Sequence, residues 1–308
     1  MKFILLSLVL LSTHVNASNK VFETTDWIAD GVFTEGIEGP AVDRNGVLYA
    51  VNYQQQGTVG AITSKGKVQL LMTLPNDSVG NGIRFDKHGN MYIADYVNHN
   101  IYRVSNDALM QGKNVSEHLS VFAHNAKMNQ PNDLAIMDNG VLFASDPNWQ
   151  HSSGNLWRIE ATGQVQLLEA NMGTTNGVTV SPDNKTLYVN ESVQRKVWRY
   201  DIDEKGNISN KQLHIAFSDF GLDGMRTDQQ GNLYIARYGA GQVAVVSPKG
   251  RLMRTVKLQG KYPTNVAFGG VDGKTVFVTM QKRGAIEMFE VNTAGRSFAF
   301  INETLKVD

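Results

Sequence analysis

The feature that most constrains the fold of this chain is a unit that recurs six times along it. Each unit reads as a short alternating strand, a turn rich in Asp, Asn and Gly, and a second apolar strand with an aromatic residue near its middle. The six units occupy residues 41–50, 83–94, 134–144, 178–189, 225–236 and 266–278. A third apolar strand follows in most units and a weaker fourth strand in several, so the period is roughly 40–50 residues.

Four antiparallel strands at this period are typical of a propeller blade. The repeat therefore predicts an all-β protein, a six-bladed β-propeller with four-stranded antiparallel blades around a central channel. The six units fill residues 18–308 as a single domain. Residues 27–34 are expected to supply the outer strand of the last blade and to close the ring. The alternative, a non-repeating β-sandwich, would require the six-fold pattern to be accidental.

The first 17 residues read as a signal peptide rather than as part of the propeller. Lys2 precedes an apolar run from Phe3 to Leu11, and a small-residue cleavage pattern follows at Val15-Asn16-Ala17. The apolar run is too short for a membrane-spanning helix, and no later segment is a candidate. We therefore expect an exported protein, periplasmic or secreted, with no membrane span. We further expect a monomer that acts on a small-molecule substrate.

The overall charge and the lack of cysteine narrow the possible chemistry. The 29 Lys and Arg residues balance 29 Asp and Glu residues, so the chain lacks the basic excess that binds nucleic acids and anionic membranes. With no cysteine, disulfides, thiolate metal sites and cysteine nucleophiles are excluded. Any metal must be held by oxygen or imidazole. The chain also has no G-x-S-x-G elbow, no H-E-x-x-H pair and no phosphate-binding glycine loop.

The residue that precedes the first strand of each unit carries the strongest functional signal. This position and the next read, in chain order, Glu38-Gly, Asn81-Gly, Asn132-Asp, Asn176-Gly, Asp223-Gly and Thr264-Asn. The first strand of each blade lines the channel of a propeller, so these residues are expected to converge at one mouth. Two carboxylates and three carboxamides suit a hard cation with many ligands. Calcium fits best, with Mg²⁺, Mn²⁺ or Zn²⁺ as alternatives.

The same column admits a structural explanation, because Asn, Asp and Gly are common in turns that enter strands. Turn chemistry accounts for the glycines but not for a side-chain oxygen at each preceding position. The second strand returns to the same mouth, and its end predicts a second layer and substrate wall at Asn52, Asp95, Asp146, Glu191 and Arg237. Solvated loop charges are the alternative for these five positions. Asp146 and Tyr238 are the best placed to shape a pocket.

These motifs resemble the family of senescence marker protein (regucalcin), bacterial gluconolactonase and luciferin-regenerating enzyme. The matching stretches are 131–135, 143–147, 176–183, 187–189, 222–228, 231–236 and 263–270. The resemblance implies a six-bladed propeller with one divalent cation at the channel mouth, usually calcium, and hydrolysis of lactones or related esters. It places the metal ligands at Glu38, Asn176 and Asp223. It also implies a metal or substrate contact at Asn132.

The resemblance departs from the family pattern at Gln130. Members that act on sugar lactones tend to carry Arg at this position, two residues before the Asn of the Asn-Asp motif, so recognition of gluconate-type substrates is in doubt. The substrate-binding residues predicted from the sequence are Asn81, Gln130, Asn132, Asp146 and Tyr238.

Asp223 is the candidate catalytic residue. It could act as the general base for an attacking water or attack directly as a nucleophile, as argued for phosphotriesterase relatives that share this fold, and the sequence leaves both open. A competing prediction is a non-catalytic propeller, stabilised by calcium, that binds a ligand or a protein.

Overall fold

The computed structural model describes residues 21–298, and the predicted signal peptide, residues 1–17, lies outside them. The described chain forms six sheets of four antiparallel strands each. Each sheet is one blade, and the blades form a ring around a central channel. The prediction of a six-bladed β-propeller is therefore confirmed. Among residues 21–298, no helix is long and apolar enough to cross a membrane.

The first strand of each blade lies innermost, and the blades follow one another in chain order. Blade 1 contains β2 (Phe33–Val42), β3 (Leu48–Tyr53), β4 (Thr58–Ile62) and β5 (Val68–Thr73). Blade 2 contains β6 (Gly80–Phe85), β7 (Met91–Asp95), β8 (Asn100–Val104) and β9 (Ser120–His124). Blade 3 contains β10 (Leu134–Ile136), β11 (Leu142–Asn148), β12 (Ser153–Ile159) and β13 (Val165–Met172).

The second half of the ring has the same construction. Blade 4 contains β14 (Thr175–Val180), β15 (Thr186–Glu191), β16 (Lys196–Ile202) and β17 (Ile208–Ala216). Blade 5 contains β18 (Met225–Thr227), β19 (Leu233–Arg237), β20 (Gln242–Val246) and β21 (Leu252–Lys257). Blade 6 contains β22 (Pro263–Gly269), β23 (Thr275–Met280), β24 (Ala285–Glu290) and β1 (Thr25–Ile28). The helical segments are short: α1 (Asn106–Gln111) and the 3₁₀ turns Val115–His118, Trp149–His151 and Gln281–Arg283.

The ring closes where the N-terminal strand β1 pairs with β24 of the last blade. Arg283 holds β1 and the residues after it against the last blade, since its guanidinium lies 2.8 Å from a carboxylate oxygen of Asp26 and 2.6 Å from one of Asp30. The predicted closing segment, residues 27–34, was misplaced. The outer strand ends at Ile28, because the chain turns through Gly31 at a φ of 75° and enters the innermost strand of blade 1 at Phe33.

The repeated Asp of the first hairpin has one structural function. The Oδ1 atom of Asp86 accepts hydrogen bonds from the backbone amides of residues 88 and 90, at 2.9 Å each. Asp43 and Asp228 accept the equivalent bonds in blades 1 and 5. An Asp at this position therefore stabilises the turn locally, as side-chain acceptors do in tight turns. These carboxylates lie at the end of the channel opposite the mouth where the column residues, such as Glu38 and Asp223, are predicted to converge.

The core fills the spaces between blades. Strand β14 is buried along its whole length, because an innermost strand is covered by its own blade and by its neighbours. The aromatic residue of the second strand packs against the next blade: the rings of Tyr49 and Phe85 lie 5.5 Å apart, and those of Tyr234 and Phe268 lie 5.0 Å apart. Burial of such side chains contributes about 2 kcal/mol each. The closed set of six blades that positions the site is consequently stiff.

Candidate functional site

One mouth of the channel opens into a cavity of about 320 Å³. The six residues of the repeated column form a ring of side chains that lines this cavity: Glu38, Asn81, Asn132, Asn176, Asp223 and Thr264. The remaining walls come from residues of the connecting loops and strand ends: Gly36, Ile37, Asn52, Gln56, Gly80, Tyr96, Gln130, Trp149 and Gln281. The structure thus brings together residues that stand far apart in the sequence, one from each blade.

The glycine after a ring residue is required by the neighbouring blade. A Cβ atom at Gly39 would overlap the backbone carbonyl oxygen of Asn81, and one at Gly177 would overlap that of Asp223. Strand pairing shifts register at these points, between residues 38 and 41 and between 175 and 178. Bulges of this kind re-aim side chains next to functional sites. The glycines therefore mark close contact between blades and not merely a turn.

Two half-buried carboxylates, those of Glu38 and Asp223, lie in the ring. Glu38 accepts hydrogen bonds from the amide of Gly39 at 2.6 Å and from Nδ2 of Asn265 at 3.1 Å. Burial raises the pKa of Glu38 to about 7. Burial and the charge of Glu38 raise the pKa of Asp223 well above its usual range. Two carboxylates whose pKa values are raised favour the binding of a cation, because its charge would keep both ionised.

Asn176 offers the ring an oxygen without a partner. Its side chain is 2% exposed, and its Oδ1 atom accepts no hydrogen bond. A buried carbonyl oxygen left in this state is costly unless a ligand satisfies it. Within residues 21–298 no three His, Cys, Asp or Glu side chains are grouped to hold a metal. The ring nonetheless fits a hard cation, because carboxamide oxygens add to its two carboxylates.

A charged layer lies beneath the ring, and we did not predict it from the sequence. Asp133 is bound by Arg84 at 2.7 Å and by Arg226 at 3.3 Å. All three side chains are buried. The signal was visible in the repeat: Asp133 occupies the column position that is glycine in most blades, and each Arg stands three residues after a ring residue. The layer closes the channel below the cavity with paired charges.

Of the predicted second layer, only Asn52 lines the cavity. Asp95, Asp146, Glu191 and Arg237 are buried and point into the blades, so the prediction that they form a substrate wall is wrong. The carboxylate of Glu191, for example, accepts the amide of Gly173 at 2.8 Å. Side chains at this position fasten the loop that leads into the innermost strand, which leaves them no free face.

Asp146 shows this role most clearly, and it does not shape the cavity as predicted. Its Oδ1 atom accepts the backbone amides of Asn129 and Gln130 at 2.7 Å each, and its Oδ2 atom accepts Nε1 of Trp157 at 2.8 Å. Asp146 is fully buried. It positions Gln130, which lines the cavity, and cannot itself reach a substrate.

Tyr238 lies just behind the cavity wall. Its hydroxyl group donates a hydrogen bond to Oε1 of Gln281, which lines the cavity. Its ring packs against Tyr262 at 5.2 Å. Burial and the charge of Asp223 raise the pKa of Tyr238. Tyr238 is therefore close to the site and supports it, although it is not among the lining residues.

Several cavity residues were missed because they do not repeat. Gln56, Tyr96, Trp149 and Gln281 lie in or beside loops that join the second and third strands of their blades. Each of these loops holds four residues, but the residue types differ from blade to blade, so no shared residue type singled out the position. Trp149 is 46% exposed and stands at the rim of the cavity.

Replacing Asp146 by Ala is expected to destabilise the protein by about 3 kcal/mol, because the backbone amides of Asn129 and Gln130 and the buried indole of Trp157 lose their acceptor. Urea unfolding measures this loss. The exposed Asp272 is the matched control, and its replacement by Ala should change the unfolding free energy by less than about 0.5 kcal/mol. Equal effects of the two substitutions would contradict the positioning role.

A propeller with carboxylates and carboxamides around one channel mouth is the class that the fold and the cavity define. The family model of the SMP-30/gluconolactonase/LRE-like region matches residues 36–282. The chain belongs to this family, and the resemblance described above is confirmed.

Individual relatives agree with the family. The chain is 31% identical over 159 residues to a 6-deoxy-6-sulfogluconolactonase of Pseudomonas putida, covering 49% of this chain and 55% of that protein. It is 25% identical over 291 residues to the diisopropyl-fluorophosphatase of Loligo vulgaris, covering 85% and 90%. The calcium-binding protein regucalcin of Agrobacterium tumefaciens has a similar fold, with a TM-score of 0.75, 20% identity and coverage of 89% and 96%. The chain spans between about half and three fifths of the length of the curated lactonases that it matches.

Proposed function

We propose that this protein is a hydrolase of lactones or related esters that depends on a divalent cation, with calcium as the best candidate. The observation that carries the proposal is the unpartnered, buried Oδ1 atom of Asn176 in the same cavity as the half-buried carboxylates of Glu38 and Asp223. This combination of oxygen ligands matches the preference of calcium for carboxylate and amide oxygens. Mg²⁺, Mn²⁺ and Zn²⁺ are the alternatives to be compared.

Glu38, Asn176 and Asp223 would hold the cation, with Asn132 as a further ligand or a substrate contact. When bound, a divalent cation supplies Lewis acidity that polarises a lactone carbonyl and stabilises negative charge on its oxygen. The proton transfer or nucleophilic attack is assigned to a residue of the chain. Asp223 lines the cavity, and in this proposal it would accept the proton of an attacking water or attack the carbonyl itself.

The cavity favours an enzyme over a purely structural metal site. A structural ion is wrapped by protein, whereas the ring faces an open volume of about 320 Å³, enough for a small cyclic ester. The names of curated relatives support the same reaction class, since several are lactonases. A non-catalytic binding module is the outcome to expect if a chelator lowers the melting temperature but no substrate is hydrolysed.

Removal of the metal is expected to abolish turnover and its return to restore it. The test is a panel of lactones and aryl esters, assayed with a chelator and after readdition of Ca²⁺, Mg²⁺, Mn²⁺ or Zn²⁺. Replacing Asn176 by Ala should weaken metal binding, measured by calorimetry, roughly 100-fold. The exposed Asn45 is the control, and its replacement by Ala should leave the affinity unchanged. Full turnover in the presence of chelator would contradict metal dependence.

A further inference from the structure

A second, smaller cavity lies in the channel beneath the charged layer. Its volume is about 50 Å³, and residues from the C-terminal parts of all six innermost strands line it. Most of the lining is apolar and includes the rings of Phe85 and Phe268. Its charged side chains are all arginines, namely Arg84, Arg226 and Arg296, and none of the lining residues, all of them in the described chain, is an acid.

The arginines of the layer outnumber the acid that binds them. Arg84 and Arg226 both bind Asp133, so two positive charges share one negative charge. Within residues 21–298 neither arginine forms an ion pair with a second carboxylate. Burial lowers the pKa of both guanidinium groups, to about 9 for Arg84, in spite of the charges of Asp133 and Glu38. The layer therefore carries a surplus positive charge, which is costly in buried surroundings.

The same two guanidinium groups have more hydrogen-bond donors than acceptors. Arg84 donates to its neighbouring backbone carbonyl at 2.6 Å and to Asp133 at 2.7 Å. Arg226 donates to Asp133 at 3.3 Å and to two backbone carbonyls, at 2.8 and 3.5 Å. Each guanidinium carries five N–H groups. Half of the ten N–H groups therefore have no acceptor in the part of the chain that the structure describes.

Arg296 lines the end of the cavity that lies away from the ring. It follows Gly295, whose backbone pairs with Asp228 in the turn at that end of the channel. The guanidinium of Arg296 binds Asp138 at 2.7 Å and donates to Oδ1 of Asn184 at 2.8 Å, so its charge is offset. The side chain of Asp138 is 50% exposed. Solvent ions would therefore reach the cavity from this end, because the charged layer separates it from the ring.

We propose that this cavity is a binding site for a small inorganic anion, of the class of chloride, held by Arg84 and Arg226. The anion would accept charge-assisted hydrogen bonds from the unused N–H groups and would offset the surplus charge. Water would satisfy the donors but not the charge. The volume of about 50 Å³ is sufficient for a particle of this size. The site is separate from the proposed cation site and does not depend on hydrolysis.

Crystals soaked in sodium bromide test the inference, because bromide takes the place of chloride and scatters X-rays anomalously. The expected result is an anomalous peak in the channel, at hydrogen-bond distance from the guanidinium groups of Arg84 and Arg226. Only water in the cavity, or bromide only on the protein surface, would overturn the inference. The measurement uses the wild-type chain, so it stands even if a variant fails to fold.

Thermal unfolding supplies the measurement in solution. Exchange of sodium methanesulfonate, which has a bulkier anion, for sodium chloride at equal ionic strength should raise the Tm of the wild type by about 3 °C. Arg84→Gln should lower the affinity for chloride at least about 10-fold and abolish this shift. Arg251→Gln, at an exposed arginine, is the matched control and should keep the full shift.

Equal shifts in the wild type and in Arg84→Gln would contradict the site, and so would the absence of a shift in the wild type. Turnover of a lactone enters neither measurement. The anion site and the proposed hydrolase function can therefore fail independently of each other.

Discussion

Replacing Asp223 by Asn is expected to lower kcat/KM for lactones roughly 1000-fold or more while the propeller remains folded. The carboxamide has the same shape as the carboxylate, but it can neither accept a proton from water nor attack a carbonyl. It also removes a carboxylate whose pKa is raised by burial and by the charge of Glu38. The melting temperature of the metal-free variant should therefore equal or exceed that of the wild type. Steady-state kinetics and thermal unfolding measure the two effects.

Asp272→Asn, at an exposed carboxylate, is the matched control and should retain full activity. Activity of Asp223→Asn close to that of the wild type would remove Asp223 from the mechanism. Turnover in H₂¹⁸O then separates the two roles proposed for Asp223. Label enters its carboxylate only if that carboxylate forms a covalent intermediate with the substrate, and mass spectrometry of the peptide that contains residue 223 detects it.

Replacing Gly39 by Ala is expected to destabilise the protein by about 4 kcal/mol or more. The new methyl group would overlap the carbonyl oxygen of Asn81, which is rigid backbone of the next blade, and the residue would keep a φ of 58°. Urea unfolding measures the loss. Blades 1 and 2 should separate slightly, and Glu38 should lose its place in the ring.

Gly46→Ala isolates the steric part of this effect. Gly46 also has a positive φ, 78°, but no atom lies within 4 Å of the position that its Cβ would take. Its replacement should cost about 1 kcal/mol, the price of the backbone conformation alone. If the two variants were equally stable, close packing between blades would not explain the glycine column.

The repeat in the sequence predicted the six-bladed fold and the residues that meet at the channel mouth. Because each blade is one copy of the same unit, residues at equivalent positions, such as Glu38 and Asp223, had to meet at one mouth of the channel. The same reasoning gave a wrong prediction for the residues at the ends of the second strands. At the ends of the second strands, column position places a residue in a blade but does not determine which way its side chain points, and Asp146 points inward to backbone amides.

The unpredicted parts depend on contacts between blades. The repeat marks Asp133, Arg84 and Arg226 as unusual positions, but it does not indicate that Arg84 of blade 2 and Arg226 of blade 5 both bind Asp133. Trp149 and Gln281 reach the cavity from loops whose sequences do not recur. Charge pairing across a channel depends on tertiary contacts, and so does the conformation of a loop. The pattern of apolar and polar residues along one strand carries little information about either.

Closure of the ring through β1 has a consequence for how this chain folds. Thr25 pairs with Met288, so the last sheet cannot be completed until the chain has been made at least as far as residue 288. Contacts of such long sequence separation form slowly. Until they form, β24 presents an unpaired edge of the kind that recruits other chains. Yield during synthesis should therefore depend on how fast β1 meets β24, and deletion of β1 should produce aggregates rather than a propeller whose last blade has three strands.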